Sequence, residues 1–452
     1  MESTATWSSG IKVGKTPGAQ IEAWLSLTTE QTRRFLTRVT WNLDAVNEAT
    51  TARAKGKQLV NDSVRVIGVI NAGSSSLKFA FYDQERPILS GQVDGLGSHP
   101  GAKVSGQDGE ALKPPNLGQK PLTTPSEVLP FLLPWAKEML GERQLAALGH
   151  RVVQGGVRHT RHERVTPELL AQLETLIPLA PLHQPHNLAA IRAAMEINPA
   201  LPQVACFDTA FHRTAPEVAQ AFALPRELFD EGVRRYGFHG LSYEYIASVL
   251  PERAPKIADG RVVVAHLGNG ASLCALKART SIASTMGFSV LDGLPMSTRS
   301  GDLDPGVVLH LLKHKGMSID ALEDLLYRGS GMLGLSGVSA DFRDLLASHD
   351  PRARFAVEVF CYQAARHIGS LAAALNGIDG IVFTAGVGEN AAPVRASISK
   401  RCRWLGLELD ERANRRHGPL ISKAGSRVAA YVISTDENLM IARHTRALSI
   451  VK

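Results

Sequence analysis

VIGVINAGSSSLKF, residues 66–79, is the stretch on which the fold turns. Its β-branched start reads as a buried strand over 65–70 that enters a Gly/Ser turn and returns over 77–82 as a hairpin partner. A turn rich in Gly and Ser lets backbone N–H groups approach an anion closely, and the hydroxyls add donors. Asn71 and Lys78 flank it, a side-chain carbonyl suited to a metal's hydration water and an ammonium suited to phosphate. The unit recurs. Residues 261–267 enter Gly268-Asn269-Gly270-Ala271-Ser272 and leave into LCAL, so VVVAHLGNGASL echoes VIGVINAGSSSL with one residue's difference in the turn. A third strand, over 380–385, feeds the glycine loop GVGEN. These units predict a two-lobed α/β fold with mixed sheets and a cleft between duplicated halves.

The rest of the chain sets limits. Its 452 residues predict two or three domains. No apolar run approaches the ~18–20 uncharged residues of a membrane-spanning helix, and the N-terminus lacks the apolar segment of a secretory signal. Cys206, Cys274, Cys361 and Cys402 form no CxxC pair, which fits the reducing cytoplasm and argues against a disulfide framework or a zinc site. A net charge of +7 suits an anionic ligand such as a nucleotide. Nucleic acid is not expected, because no basic tract is interleaved with aromatics.

Residues 1–63 predict an N-terminal extension, helical around 21–43 and otherwise disordered, before the β-branched run that begins at Val64. Within it SGIKVGKT, residues 9–16, imitates a phosphate loop. Ser9 stands at the required first glycine and Pro17-Gly18 follow where a helix should start, so the nucleotide site is expected elsewhere. Further on, Phe355, Val359, Tyr362, Ile368, Leu371 and Leu375 have helical spacing and predict a helix over 354–375.

NAGSSSLKF (71–79) resembles the first signature of the acetate kinase family. The match continues in order through GHRVVQGG (149–156), APLHQP (180–185), CFDTAFH (206–212) and RRYGFHG (234–240). It runs on through HLGNGASL (266–273), MSTRSGDLDPG (296–306), GMLGLSGVSADFRDL (331–345), FTAGVGEN (383–390) and TDENL (435–439). The resemblance covers about 64–452. It implies the duplicated ribonuclease H-like fold of actin, Hsp70 and the acetate and sugar kinases. The first lobe would span 64–208, with 440–452 returning to it, and the second, spanning 209–439, would carry most of the ATP site. The implied activity converts ATP and acetate to ADP and acetyl phosphate by direct in-line transfer with Mg²⁺, for which Mn²⁺ substitutes. The implied setting is a cytoplasmic homodimer with no membrane partner.

A small carboxylate is already ionised near neutral pH, so this chemistry needs aligned cations rather than a general base. Arg151 and Arg299 sit beside glycines in loop-like segments, and guanidinium forks suit carboxylate and phosphoryl oxygens. By the resemblance, Arg151 faces the carboxylate and Arg299 holds the transferring group. His239 donates to the transition state's equatorial oxygens, and His183 supports it. Asp208 follows an apolar strand and is implied to be catalytic; orienting arginine and metal-bound water fits the chemistry better than proton transfer. Asn71 and Glu437 are the implied metal residues, a pair suited to a cation that keeps several waters. His266, Leu267, Gly268, Asn269 and Gly270 would face the phosphates with Lys78. Asp341, Phe342 and Arg343 would flank the adenosine, as would Gly386, Val387, Gly388, Glu389 and Asn390. Val153, Leu182, Phe238 and Val290 would line the acyl pocket. His183 and His186 have the HxxH spacing of a zinc pair, but Pro185 is expected to interrupt a helix there and no further ligand is near.

Several positions depart from the family pattern. Gln154 stands where histidine is usual, Leu241 and Tyr243 replace Thr and His, Asp436 and Asn438 replace Asn and Glu, and Val290 replaces proline. Gln154 and Val290 leave the acyl preference open between acetate and propionate. A non-catalytic ATP-binding switch of the same superfold is the other alternative, against which Arg151, Asp208, His239 and Arg299 together speak.

Overall fold

The computed structural model describes residues 65–118 and 121–449; the extension over 1–63, with its phosphate-loop imitation and helical stretch, lies outside them. The opening stretch folds as β1 (Arg65–Ala72) against β2 (Leu77–Asp83), antiparallel, with Asn71 opposite Lys78 and Ala72 opposite Leu77. To these β3 (Arg86–Asp94) and β4 (Gly101–Gly106) add antiparallel, while β5 (Gln144–Val152) joins β1 in parallel. The short β6 (Glu163–Arg164) and β7 (Gln203–Phe207) complete a sheet of order β4-β3-β2-β1-β5-β7-β6.

The echo at 261–273 builds the second sheet. Here β8 (Arg261–Leu267) pairs antiparallel with β9 (Ala271–Lys277), then β10 (Thr280–Ser284). On the other side lie β11 (Gly380–Thr384) and β12 (Ala429–Val432), both parallel to β8. Without β4 and β6, the first sheet reads β3-β2-β1-β5-β7 and the second β10-β9-β8-β11-β12, one order used twice. This is the duplicated architecture of the actin, Hsp70 and sugar-kinase fold.

The central strands are buried along nearly their whole length because helices cover both faces. The C-terminal helix Glu437–Ser449 packs Met440, Ile441 and Ala442 onto Ile67, Val69, Ala147, Val204 and Cys206 of the first sheet. The methionine, isoleucine and valine side chains among these each contribute about 1.5–3 kcal/mol by leaving water, and the alanines less. The close approach demands a glycine at 149, where a Cβ would collide with Thr445 and Ile441.

Four expectations change. GVGEN forms a short helix, Ala385–Asn390, rather than a loop. Pro185 interrupts nothing: it occupies the first turn of the helix Gln184–Ile197, where its missing N–H needs no partner. Arg151 lies inside β5 rather than in a loop. The predicted helix spans Pro351–Ala374, but its Phe355–Val359–Tyr362 stripe faces outward, with Phe355 58% and Tyr362 53% exposed; Ala353, Ala356, Phe360 and Ala364 supply the buried face.

Candidate active site

The ends of the central strands from both sheets open on one cleft of about 580 Å³. On the first sheet's side, the β1–β2 turn closes with Gly73 N donating to Ser76 O at 2.8 Å, and Asn71, Ser74, Ser76 and Lys78 line the wall. Asn187 ties neighbouring strand ends together: its Nδ2 donates to Ala72 O at 2.8 Å and its Oδ1 accepts from Val153 N at 3.1 Å. This places Arg151 beside Asp208, just past β7. Arg151 Nε lies 3.0 and 3.1 Å from the two Asp208 oxygens and its Nη2 donates to Oδ2 at 2.5 Å. Glu437 Oε2 is 3.9 Å from the same Nε.

Burial opposes the charge on Arg151, but Asp208 and Glu437 outweigh it and raise the pKa of the guanidinium. Burial likewise pushes the Asp208 carboxyl above its ordinary value while Arg151 pulls it back. Both carboxylate oxygens are engaged by the guanidinium in a charge-assisted fork.

The second sheet contributes the β8–β9 turn, in which Gly268 N donates to Gly270 O at 3.1 Å. His239 begins the helix Gly240–Arg253 with φ +56°, a left-handed conformation that costs a non-glycine residue energy and recurs at functional sites. His239 stacks on His266, ring centroids 4.2 Å apart. Its Nδ1 meets Ser272 Oγ at 2.8 Å, and His266 Nδ1 meets Ser242 Oγ at 2.8 Å. Burial and nearby cations lower the His239 pKa well below the ordinary value, and burial lowers His266 to about 4, so both rings are neutral at pH 7.

Arg299 enters from an irregular segment. Nη1 donates to Val290 O at 3.0 Å, and no carboxylate pairs with it among the described residues. Burial brings its pKa down to about 10. Gly270 separates it from His239: a Cβ there would lie 3.0 Å from His239 Nε2 and 3.2 Å from Arg299 Nη2. Beside Arg299, Val153, Phe238 and Val290 form a small apolar wall, with Leu182 packed behind it. His183 also faces the cleft, its pKa lowered to about 3 by burial, then by Arg299 and Arg151.

Of the expected ATP residues, Lys78, His266, Gly268, Asn269, Gly270, Gly386 and Glu389 line the cleft. Leu267 and Gly388 are buried, and Val387 packs against the core. Asn390 is exposed and donates to Gly386 O at 2.9 Å. The Asp341–Arg343 segment stays outside the lining. Asp341 caps the helix Phe342–Ala347 and holds Arg343 at 2.5 Å on the surface, while Phe342 packs edge-on against Phe360. Ser74, Ser76 and Thr435, which carried no expected site role, also reach the cleft, as do Asp436 and Asn438, two of the departures from the family pattern. Gln154 is fully buried, and its Oε1 accepts from Gly156 N at 2.9 Å, so it shapes its own loop instead of lining the cleft.

Asn71 and Glu437 fit a hard cation. Both line the cleft, the Asn71 amide has no side-chain hydrogen bond among the described residues, and Glu437 makes none beyond its approach to Arg151. By contrast Asp436 is engaged: it accepts from Leu439 N at 2.9 Å, capping the C-terminal helix. His162, Glu244 and His444 also cluster, outside this cleft. There Phe207 N donates to His162 Nδ1 at 3.1 Å, which puts the neutral ring's proton on Nε2 and removes the lone pair a metal would need.

The profile of the Acetokinase family matches residues 66–443. An acetate kinase of Rhodopseudomonas palustris is 52% identical over 393 residues, covering 85% of this chain and 98% of that relative. Among solved structures, Porphyromonas gingivalis acetate kinase has 35% identity and a TM-score of 0.76, covering 85% of this chain and 99% of the other. A propionate kinase from Francisella tularensis has 33% identity and a TM-score of 0.79, covering 85% and 100%.

Proposed function

The chain belongs to the Acetokinase family, and from that premise we propose that it moves the γ-phosphoryl group of ATP onto acetate, reversibly, giving ADP and acetyl phosphate. Arg299 carries the proposal: a half-buried guanidinium without a carboxylate partner among the described residues, beside Arg151 and a small apolar wall, is costly to fold unless an anion completes it. A carboxylate oxygen attacks the γ-phosphorus, and the bond from that phosphorus to the bridging oxygen breaks. ADP leaves with the electron pair, and the carboxylate needs no deprotonation.

Each residue has a task in this displacement. Arg151, held by Asp208, turns its remaining N–H groups to the carboxylate. Arg299 neutralises charge on the transferring oxygens, and His239 Nε2 donates to them. Lys78 and the turn Gly268-Asn269-Gly270 receive the polyphosphate. Val153, Phe238 and Val290 enclose the methyl group. Asn71 and Glu437 would hold a divalent cation, Mg²⁺ by preference with Mn²⁺ as its substitute. When bound, that cation supplies charge neutralisation on the phosphoryl oxygens.

Acetate is favoured over propionate because the relatives at 52% identity are acetate kinases, whereas the propionate kinase stands at 33%. The full chain assayed with acetate, propionate and butyrate, trapping the acyl phosphate as hydroxamate, tests this. The highest kcat/KM is expected for acetate. A higher value for propionate overturns the substrate, and no product with any of the three overturns the reaction.

The reading extends to a cytoplasmic homodimer. Four free, buried cysteines suit a reducing compartment, and no described helix is long and apolar enough to cross a membrane. The exposed Phe355 and Tyr362, with half-buried Val359 between them, are apolar surface for a second copy to cover. Light scattering should give twice the 48.6 kDa of one chain, and a Phe355→Asp/Tyr362→Asp variant should give one.

A further inference from the structure

We propose that Tyr243 and Ser272 form a buried hydrogen-bond relay that fixes the tautomer of His239, placing its proton on Nε2, the nitrogen facing the cleft. The inference rests on the kinase reading above and adds two positioning residues to it.

Ser272 Oγ lies 2.8 Å from His239 Nδ1 and 2.5 Å from the Tyr243 hydroxyl. Ser272 and Tyr243 are both completely buried, and the tyrosine hydroxyl has no other hydrogen-bond partner among the described residues. A hydroxyl proton without an acceptor in such a place bears the full cost of its desolvation. One arrangement pairs every buried proton. Tyr243 O–H donates to Ser272 Oγ, and Ser272 O–H donates to His239 Nδ1. If Nδ1 carried a proton and donated to Ser272, either the serine or the tyrosine proton would be left facing no acceptor. An imidazolium at 239 meets the same obstacle. Nδ1 is therefore the acceptor, and the ring proton sits on Nε2.

The backbone supports the relay. His239 precedes the first turn of the helix Gly240–Arg253 and Tyr243 follows one turn on, so both side chains reach β9, which carries Ser272. The relay also settles a competition. Nε2 and the Arg299 Nη2 both approach Gly270, and the positive field of a guanidinium, which only donates, favours an unprotonated Nε2. The Nδ1–H tautomer would present only a lone pair on that side of the ring and have nothing to donate to a phosphoryl oxygen. Burial and the nearby arginines hold the ring's pKa low, in keeping with a neutral donor. This chain's departure at 243 acquires a role: a tyrosine hydroxyl aims the serine rotor.

Nitrogen-15 histidine labelling of the full chain, with His239→Gln to assign the resonances, reads the tautomer directly through two-bond proton–nitrogen couplings. Nε2–H is expected in the wild type. Ser272→Ala should admit the Nδ1–H form and lower kcat by about tenfold, with KM for acetate and ATP changing less than about threefold. Tyr243→Phe should cost about threefold in kcat in the wild-type background and nothing further in Ser272→Ala, because it acts through the serine. A wild-type Nδ1–H tautomer, or an equal cost of Tyr243→Phe in both backgrounds, overturns the relay. Should Ser272→Ala fail to fold, the wild-type spectrum still decides. Wild-type inactivity on every short carboxylate would sink the kinase reading and leave the tautomer result standing.

Discussion

Each half of the duplicated fold sends one arginine into the cleft, and the two are held by opposite means. Arg151 ends a central strand of the first sheet and is gripped through Nε and Nη2 by Asp208. Its orientation exists before any ligand arrives, and the neighbouring carboxylates secure its charge. Arg299 comes from an irregular segment of the second half and has one backbone carbonyl, that of Val290, as its anchor. Burial weakens its hold on the proton. The difference separates positioning from response: one cation is preorganised by protein, and in the proposed reaction the other would be completed by ligand. The two hairpin turns diverge in the same way. Gly73–Ser76 offers hydroxyls and open space, whereas at Gly270 the second turn is crowded by His239 and Arg299.

Removing Arg299 should break the comparison most severely. Arg299→Ala is expected to lower kcat/KM for acetyl-phosphate formation about 10³-fold, as loss of a transition-state arginine does. A loss under tenfold would show that Arg151 alone carries the charge. The guanidinium is charged below its pKa of about 10 and neutral above it, so wild-type activity should fall as pH rises through about 10.

Loosening Arg151 should cost less. Asp208→Asn leaves the cation present but poorly aimed, for an expected loss of about 10²-fold in kcat. The pair acts as a unit if Arg151→Ala/Asp208→Asn is no worse than Arg151→Ala alone; additive losses would give Asp208 a separate task.

The turns provide a gentler contrast. Gly270→Ala pushes a methyl group to within 3.0 Å of His239 Nε2 and 3.2 Å of Arg299 Nη2, and should lower kcat about tenfold without changing the circular dichroism. At Gly73 a Cβ meets nothing nearer than 3.4 Å, so Gly73→Ala should stay within about twofold of wild type, and equal losses at both glycines would erase the distinction. At the apolar wall the expected change is in specificity instead of in overall rate. Val290→Ala should shift the kcat/KM ratio toward propionate by about tenfold, the worth of one methylene's fit.

Much of the fold was legible in sequence because burial on both faces leaves a plain mark. The runs 65–70 and 261–267 are β-branched, each is followed by a glycine turn, and their likeness announced the duplication. The outward stripe on the helix Pro351–Ala374 was not legible, since helical spacing of Phe355, Val359 and Tyr362 states that they share a face but not which way it points. GVGEN was equally ambiguous: Ala385 adopts φ +64° and the segment then turns helical, an outcome its glycines neither require nor forbid. Within the site, Asn71, Arg151, Asp208, His239, Arg299 and Glu437 meet in one cleft, whereas Asp341 and Arg343 consume each other's charge at the surface.

By itself the sequence determined the repeated strand–turn–strand unit, the residue types brought to the cleft and the apolar character of one of its walls. Those are properties of local periodicity and side-chain chemistry, which a chain carries wherever it folds. Tertiary structure decided which of two arginines is bound to a carboxylate and which stands open, and that Gln154 turns inward to its own loop. It also decided that Ser272 joins Tyr243 to His239. Such facts depend on distances between segments remote in sequence, and a hydrogen bond or ion pair forms only where packing brings donor and acceptor within about 3 Å.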